Sequence, residues 1–262
     1  MDERHIIRAL PNLDMPTLAS IPEAFITAYQ LCFVVGKVKA GDTVLLHAAT
    51  SSVGQAAIQM LVRKGATVFG TVRSENKLQR CLDLGCKDVI LISPSSPPDF
   101  CEEVKEANDG QPVNVILDPV GSAYLSENLD VLAVDGTIVL YGLMGGATVA
   151  DAEFLKKMMA KRITMVASTL RSRSIKYKAD LITLLNEDPD ALAAIASGDI
   201  RVEVDRTFQL DQVIQAHAYM ARNENIGKIV LMIASSVSAI DFFAKELEAL
   251  AQKNKYRPTA YK

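Results

Sequence analysis

No basic face is visible in this chain. Its 28 lysines and arginines face 31 aspartates and glutamates, for a net charge of −3. That balance argues against nucleic acid as a main partner. No apolar run reads as long enough to span a bilayer, and Met1-Asp2-Glu3-Arg4-His5 does not read as a signal peptide. The expected location is cytoplasmic, with no membrane partner. The four cysteines, Cys32, Cys81, Cys86 and Cys101, are irregularly spaced, fit no zinc pattern and are expected to stay reduced. With three histidines scattered at 5, 47 and 217, no metal site is expected. There is no internal repeat and no low-complexity segment. What is present is apolar: 49% hydrophobic residues over 262 positions can fill the core of one or two domains.

The chain is organised around His47-Ala48-Ala49-Thr50-Ser51-Ser52-Val53-Gly54. The β-branched and apolar run Thr43–Leu46 before it reads as a buried strand. After it, Val53, Ala56, Ala57, Met60 and Leu61 fall at helical spacing up to Lys64. A tight turn from strand into helix gathers free backbone N–H groups at the positive end of a helix dipole, where a pyrophosphate fits. The usual dinucleotide fingerprint wants glycines where Ala49, Ser51 and Gly54 stand, and only Gly54 is glycine. By itself the stretch fits a nucleotide turn or a plain buried turn.

A strand over Thr67–Thr71 follows the helix, as a βαβ crossover requires. The tip of this second strand selects the cofactor: an acid there takes the ribose 2′-OH of NAD. Here the tip reads Gly70-Thr71-Val72-Arg73-Ser74 and continues Glu75-Asn76-Lys77, with no acid before Glu75. Arg73, Ser74 and Lys77 offer two cations and a hydroxyl to a 2′-phosphate, which favours NADP. The competing reading is a solvated helix cap with Ser74 as N-cap.

Strands and helices then alternate. Strands are expected over Asp88–Ile92, Val113–Asp118, Gly136–Tyr141 and Ile163–Ala167. Helices are expected over Ser74–Leu84, Asp99–Ala107, Ala123–Leu132 and Asp151–Lys161. Before the first strand, residues 1 to 20 read as an extended, proline-punctuated entry, and Pro22 as opening a helix over Ile21–Val35. The six apolar strands separated by helices predict an α/β fold, a Rossmann-type doubly wound parallel sheet of about six strands. After Ser168 the alternation stops. Helices at Lys176–Asn186, Ala191–Ser197 and Asp211–Ala221, an extended Ile200–Leu210 and a strand at Lys228–Ile233 read as parts of a second layer. In the tail, Ile240, Phe243, Ala244, Leu247 and Leu250 form one apolar stripe, predicting a docked helix over Ala239–Lys253, with a frayed, solvated tail as the alternative.

Several runs carry a family resemblance: Ile21-Pro22-Glu23-Ala24, Ala40-Gly41-Asp42, Ser51 to Gln59, Tyr141-Gly142-Leu143-Met144-Gly145-Gly146, Leu170-Arg171-Ser172-Arg173 and Asn225 to Leu231. Over residues 5 to 232 the chain resembles the zinc-independent quinone oxidoreductases of the medium-chain dehydrogenase/reductase superfamily, and among them the p53-inducible branch. The resemblance implies NADP(H) and hydride transfer to a small-molecule quinone or enone, in a homodimer whose sheets join near Ile163–Ala167. It implies a preceding GroES-like domain of about 100 residues, of which residues 1–20 match only the exit. Residues 21–167 would be the NADP-binding domain, 168–233 a segment returning to the GroES-like domain, and 234–262 a helical tail. Lys228–Ile233 would then be an orphan edge strand.

By position, the resemblance puts Thr27 near the nicotinamide and Thr50, Ser51, Ser52 and Val53 at the pyrophosphate. Ser74 and Lys77 would take the 2′-phosphate, with Arg73 beside them. Gly142, Leu143 and Met144 would lie along the nicotinamide ribose and ring, and Ser168, Thr169 and Leu170 would flank the ring. Two positions depart from the pattern: Ser52 replaces a usual glycine, and Ile92 stands where relatives often carry a tyrosine. No general acid or base is assigned, and Asp118 before Pro119 reads as a turn former. Two function classes stay open: a reductase, and a non-catalytic NADPH-binding or interaction module without its substrate domain.

Overall fold

The structure, a computed structural model, describes residues 2–92 and 99–233. The loop Ser93–Pro98 and the helix expected over Ala239–Lys253 lie outside the described residues. Six strands form one parallel sheet: β1 (Thr43–Leu46), β2 (Thr67–Val72), β3 (Asp88–Leu91), β4 (Val113–Asp118), β5 (Leu132–Leu140) and β6 (Thr164–Ala167). Their order is β3-β2-β1-β4-β5-β6. This is the doubly wound arrangement that the sequence predicts.

Alternation along the buried strands feeds two cores. Val44, Leu46, Val68 and Val139 pack with α1 (Met15–Tyr29) and α2 (Ser52–Arg63) on one face. Leu45, Phe69, Ile116 and Ile138 pack with α4 (Cys101–Ala107) and α5 (Ser122–Val131) on the other. Two short helices complete the alternation, α3 (Leu78–Asp83) before β3 and α6 (Phe154–Ala160) before β6. The strand order reverses between β1 and β4, so a crevice opens at their carboxyl ends, where open α/β sheets bind ligands.

The entry segment differs from expectation. Asp14 Oδ1 accepts from Thr17 N at 2.9 Å, so the first helix starts at Met15 rather than Ile21. Pro16 sits in the first turn, where no N–H is needed, and Pro22 lies inside the helix instead of opening it. The helix runs on as a π-turn over Gln30–Val35, closed by Gly36 N to Leu31 O at 2.8 Å. Met15–Val35 is long and apolar enough to cross a bilayer by length and composition alone, contrary to the sequence reading; half of its most apolar stretch is buried inside the fold.

After β6, α7 (Ile175–Glu187) and α8 (Leu192–Ser197) bury Leu181, Ile182, Leu185, Leu192 and Ile195 in the α1–α2 core. Lys64 at the end of α2 pairs with Asp188 at 2.8 Å and Asp190 at 3.0 Å, tying this segment down. The strand expected to be an orphan is paired. β7 (Val204–Gln209) and β8 (Lys228–Met232) run parallel, from Val204 opposite Lys228 to Gln209 opposite Met232. Between them, α9 (Val213–Ala221) starts after a capping box of Gln209 and Gln212, two residues later than the helix expected from Asp211.

Candidate functional site

A cleft of about 300 Å³ lies at the crevice between β1 and β4. Its floor is the turn between β1 and α2. Ala48 there adopts φ +52, a left-handed conformation that L-residues seldom take, which lets the chain reverse between strand and helix. Ser51 is the N-cap of α2, and its Oγ accepts from Gly54 N at 3.0 Å. The first N–H groups of a helix have no partner within it. The cap takes that of Gly54 and leaves those of Ser52 and Val53 at the positive end of the helix. Gly54 is required by space: a Cβ there would lie 2.5 Å from Ala49 O.

The opposite wall comes from the loops after β4 and β5. Asp118 Oδ1 accepts from Val120 N at 2.6 Å and Gly121 N at 3.0 Å, which makes Asp118 the turn former expected. The loop after β5 bonds onto this turn through Gly145 N to Val120 O at 2.7 Å and Met144 N to Pro119 O at 3.2 Å. The approach is close because Gly142 and Gly145 carry no side chain: a Cβ on Gly142 would lie 2.5 Å from Pro119 O, and one on Gly145 2.7 Å from Val120 Cγ1. Val120, Ala123, Tyr124, Met144 and Gly145 then line the cleft.

At the tip of β2, Thr71, Val72, Arg73 and Lys77 form the cationic end. Arg73 is exposed, whereas Lys77 is buried and its Nζ donates to Asn223 O at 2.7 Å. An ammonium has three protons, so two stay available to a ligand. Burial, with Arg73 next in effect, pushes the Lys77 pKa down. Asn223 and Asn225 come from the α9–β8 loop, which also reaches the floor through Gly227 N to Thr50 O at 3.2 Å. The return segment thus closes the cleft over the cationic end.

Of the residues singled out from sequence, Thr50, Ser51, Arg73, Lys77 and Met144 line this cleft. Ser52 and Val53 offer their N–H groups beside it. Ser74 is half-buried next to the wall, and its side chain caps nothing. Gly142 and the half-exposed Leu143 stand in the β5 loop. Thr27 on α1 and Ser168, Thr169 and Leu170 after β6 do not line the cleft. After β6, Thr169 O accepts from Gln30 Nε2 of the π-turn at 3.4 Å. Tyr141 Oη and Ser168 Oγ are both buried without a protein partner. Extension of the Leu140–Ala167 register puts the two residues side by side on the α1 face. The cleft residues that sequence reading did not single out as site residues are Ala48, Thr71, Val72, Val120, Ala123, Tyr124, Gly145, Asn223 and Asn225. Ala48, Thr71, Val72, Gly145 and Asn225 had a signal, in the first turn, the tip of the second strand and two of the runs that carry the resemblance; the other four had none.

A family model described as zinc-binding dehydrogenase matches residues 52–187. A 2-haloacrylate reductase from Burkholderia sp is 32% identical over 221 residues, covering 84% of this chain and 64% of that protein. Among solved structures, an NAD-dependent alcohol dehydrogenase has a TM-score of 0.75 at 25% identity, covering 89% of this chain and 63% of the other. A quinone oxidoreductase of Pseudomonas syringae pv. Tomato DC3000 has a TM-score of 0.74 at 25% identity, covering 88% and 68%. This chain therefore spans somewhat less than two thirds of the reductase and of the dehydrogenase.

Proposed function

The chain belongs to the zinc-binding dehydrogenase family, and from that membership we propose that it is the cofactor-binding part of an NADPH-dependent reductase acting on a quinone or related enone. The observation that carries the cofactor choice is the tip of β2: no carboxylate, and Arg73 and Lys77 in the wall of the cleft. The bound nicotinamide would supply a hydride. The residues of this chain supply position: the α2 N-terminus and Ser51 turn hold the pyrophosphate, Arg73, Ser74 and Lys77 hold the 2′-phosphate, and Gly142, Leu143 and Met144 let the ribose and ring lie against the sheet edge. The unpartnered hydroxyls of Tyr141 and Ser168, next to Thr169 and Leu170, support a polar ligand group at the nicotinamide end, to which Thr27 is also assigned. An electron-poor quinone or enone accepts hydride readily, so alignment and exclusion of water dominate over side-chain acid–base chemistry.

The family description names zinc, but the donors present do not fit it. Among the described residues no three His, Cys, Asp or Glu converge, and both nitrogens of His47 are hydrogen-bonded. The Gly-Leu-Met-Gly-Gly and Leu-Arg-Ser-Arg runs support the p53-inducible quinone oxidoreductase branch. Residues 21–167 act as the NADP-binding domain, and 1–20 and 168–233 as the segments that lead from and back to a GroES-like domain. The protein works in the cytoplasm as a homodimer joined at the half-exposed edge strand β6. The test is loss of NADPH absorbance on addition of p-benzoquinone or 2-chloroacrylate. Oxidation with either acceptor supports a reductase, and the preferred acceptor names its class. Failure to bind NADPH overturns the reading, whereas NADPH binding without turnover of either fits the cofactor-binding part acting without its substrate domain as well as a non-catalytic module.

A further inference from the structure

His47, at the end of β1, is fully buried and stands edge-on to the rings of Phe100 and Tyr124, at 5.0 and 4.8 Å. Its Nδ1 lies 3.0 Å from Thr71 Oγ1, and its Nε2 lies 2.7 Å from Asn128 Oδ1. The Asn128 amide continues the chain to Asp118 Oδ2 at 3.0 Å. These four side chains join the tips of β1, β2 and β4 under the cleft.

The direction of every bond in this relay follows from its end. A carboxylate only accepts, so Asn128 turns its nitrogen to Asp118 and its oxygen to His47. His47 Nε2 must then carry a proton. Burial keeps the imidazole neutral by lowering its pKa, against the smaller opposing effect of Asp118. In a neutral ring with Nε2 protonated, Nδ1 is an acceptor. Thr71 Oγ1 therefore donates to it, and its one proton is committed inside the protein. Thr71 is 2% exposed, and it is a residue of the cleft wall. Any ligand atom that meets Oγ1 must bring a proton of its own.

We propose that Thr71 Oγ1 accepts a hydrogen bond from the adenosine ribose of the bound nucleotide, with His47, Asn128 and Asp118 as its positioning residues. A strand-end carboxylate plays that part in NAD-binding sheets. A neutral hydroxyl two residues before Arg73 plays it without repelling a 2′-phosphate. In NADPH the 2′ oxygen is esterified, so the adenosine 3′-hydroxyl is the donor. This rests on reading the cleft as an NADPH site.

The test compares adenosine 2′,5′-bisphosphate with its 3′-deoxy analogue by calorimetric titration against the intact protein. The wild type and Thr71→Ser are expected to prefer the 3′-hydroxyl by about five- to tenfold, the range of one net hydrogen bond. Thr71→Val, which keeps the shape and removes the hydroxyl, is expected to bind both alike. A preference that survives in Thr71→Val overturns the proposal. Independently of any nucleotide, 15N NMR of the histidine rings at about neutral pH should show His47 with only Nε2 protonated. A ring protonated at Nδ1 overturns the relay. If the wild type binds neither probe, the NADPH reading falls with it; if it binds both without preference, only this proposal falls.

Discussion

Gly54 is the strictest steric demand in the turn beneath the cleft, and replacing it by alanine tests the architecture of the site. The added methyl would lie 2.5 Å from Ala49 O and 2.8 Å from Ala48 O. Carbon–oxygen contacts in proteins are ordinarily no closer than about 3.3 Å. Both obstacles are backbone atoms of the turn, so no side chain can move aside and α2 must withdraw by several tenths of an ångström. Overpacking of this kind costs about 1–3 kcal/mol. The better helix propensity of alanine returns up to about 1 kcal/mol, leaving a net loss of up to about 2 kcal/mol. In a chain of this size that lowers Tm by up to about 8 °C. The same withdrawal stretches the Ser51 Oγ to Gly54 N cap, now 3.0 Å, and carries the N–H groups of Ser52 and Val53 away from the cleft. NADPH affinity should fall about tenfold, equivalent to about 1.4 kcal/mol. Gly41→Ala is the control: φ there is +86, with nothing within 4 Å of the added Cβ. It should lower Tm through backbone strain alone and leave NADPH affinity unchanged. Thermal unfolding and fluorescence titration of the three proteins decide the matter. A Gly54→Ala protein with wild-type Tm and affinity would refute the reasoning.

Two further outcomes follow from the same structure. Burial holds the His47 pKa below its ordinary value near 6.5, so below that pH the unfolded chain binds a proton that the folded chain refuses. The His47 contribution to stability is complete above about pH 6.5 and is lost as pH falls below it, with a slope of at most about 1.4 kcal/mol per pH unit. Urea unfolding between about pH 7.5 and 5 should show that slope in the wild type and not in His47→Gln; equal slopes would count against it. Light scattering at micromolar concentration should give the mass of a dimer, because a second copy can continue the sheet at the open edge of β6; a monomer contradicts the dimer.

The sheet was legible in the sequence because strands buried on both faces read as uninterrupted apolar runs, such as Val44-Leu45-Leu46 and Val115-Ile116-Leu117. The turn between β1 and α2 is legible from a strand, small residues and a helix in succession. The start of α1 is not, because Pro16 reads as part of an extended entry and Pro22 as the first turn of the helix, while the capping by Asp14 depends on one side-chain rotamer. The β7–β8 pair was missed because its partners are joined by α9, and parallel pairing leaves no local turn signal. The walls of the cleft and the His47 relay were illegible for a similar reason. Thr71, His47, Asn128 and Asp118 come from four elements, and Asn223 reaches Lys77 across 146 positions. Such contacts exist only once the topology has brought strand ends together.

The most direct measurement is a paired titration of the wild type and Lys77→Ala with NADPH and NADH. The wild type should bind NADPH more tightly than NADH. Lys77→Ala should lose about 1–3 kcal/mol of NADPH affinity, the worth of a hydrogen bond to a charged group, and bind NADH as before. Tighter binding of NADH by the wild type, or an equal loss of both nucleotides in Lys77→Ala, would contradict the assignment of Arg73 and Lys77 to a 2′-phosphate.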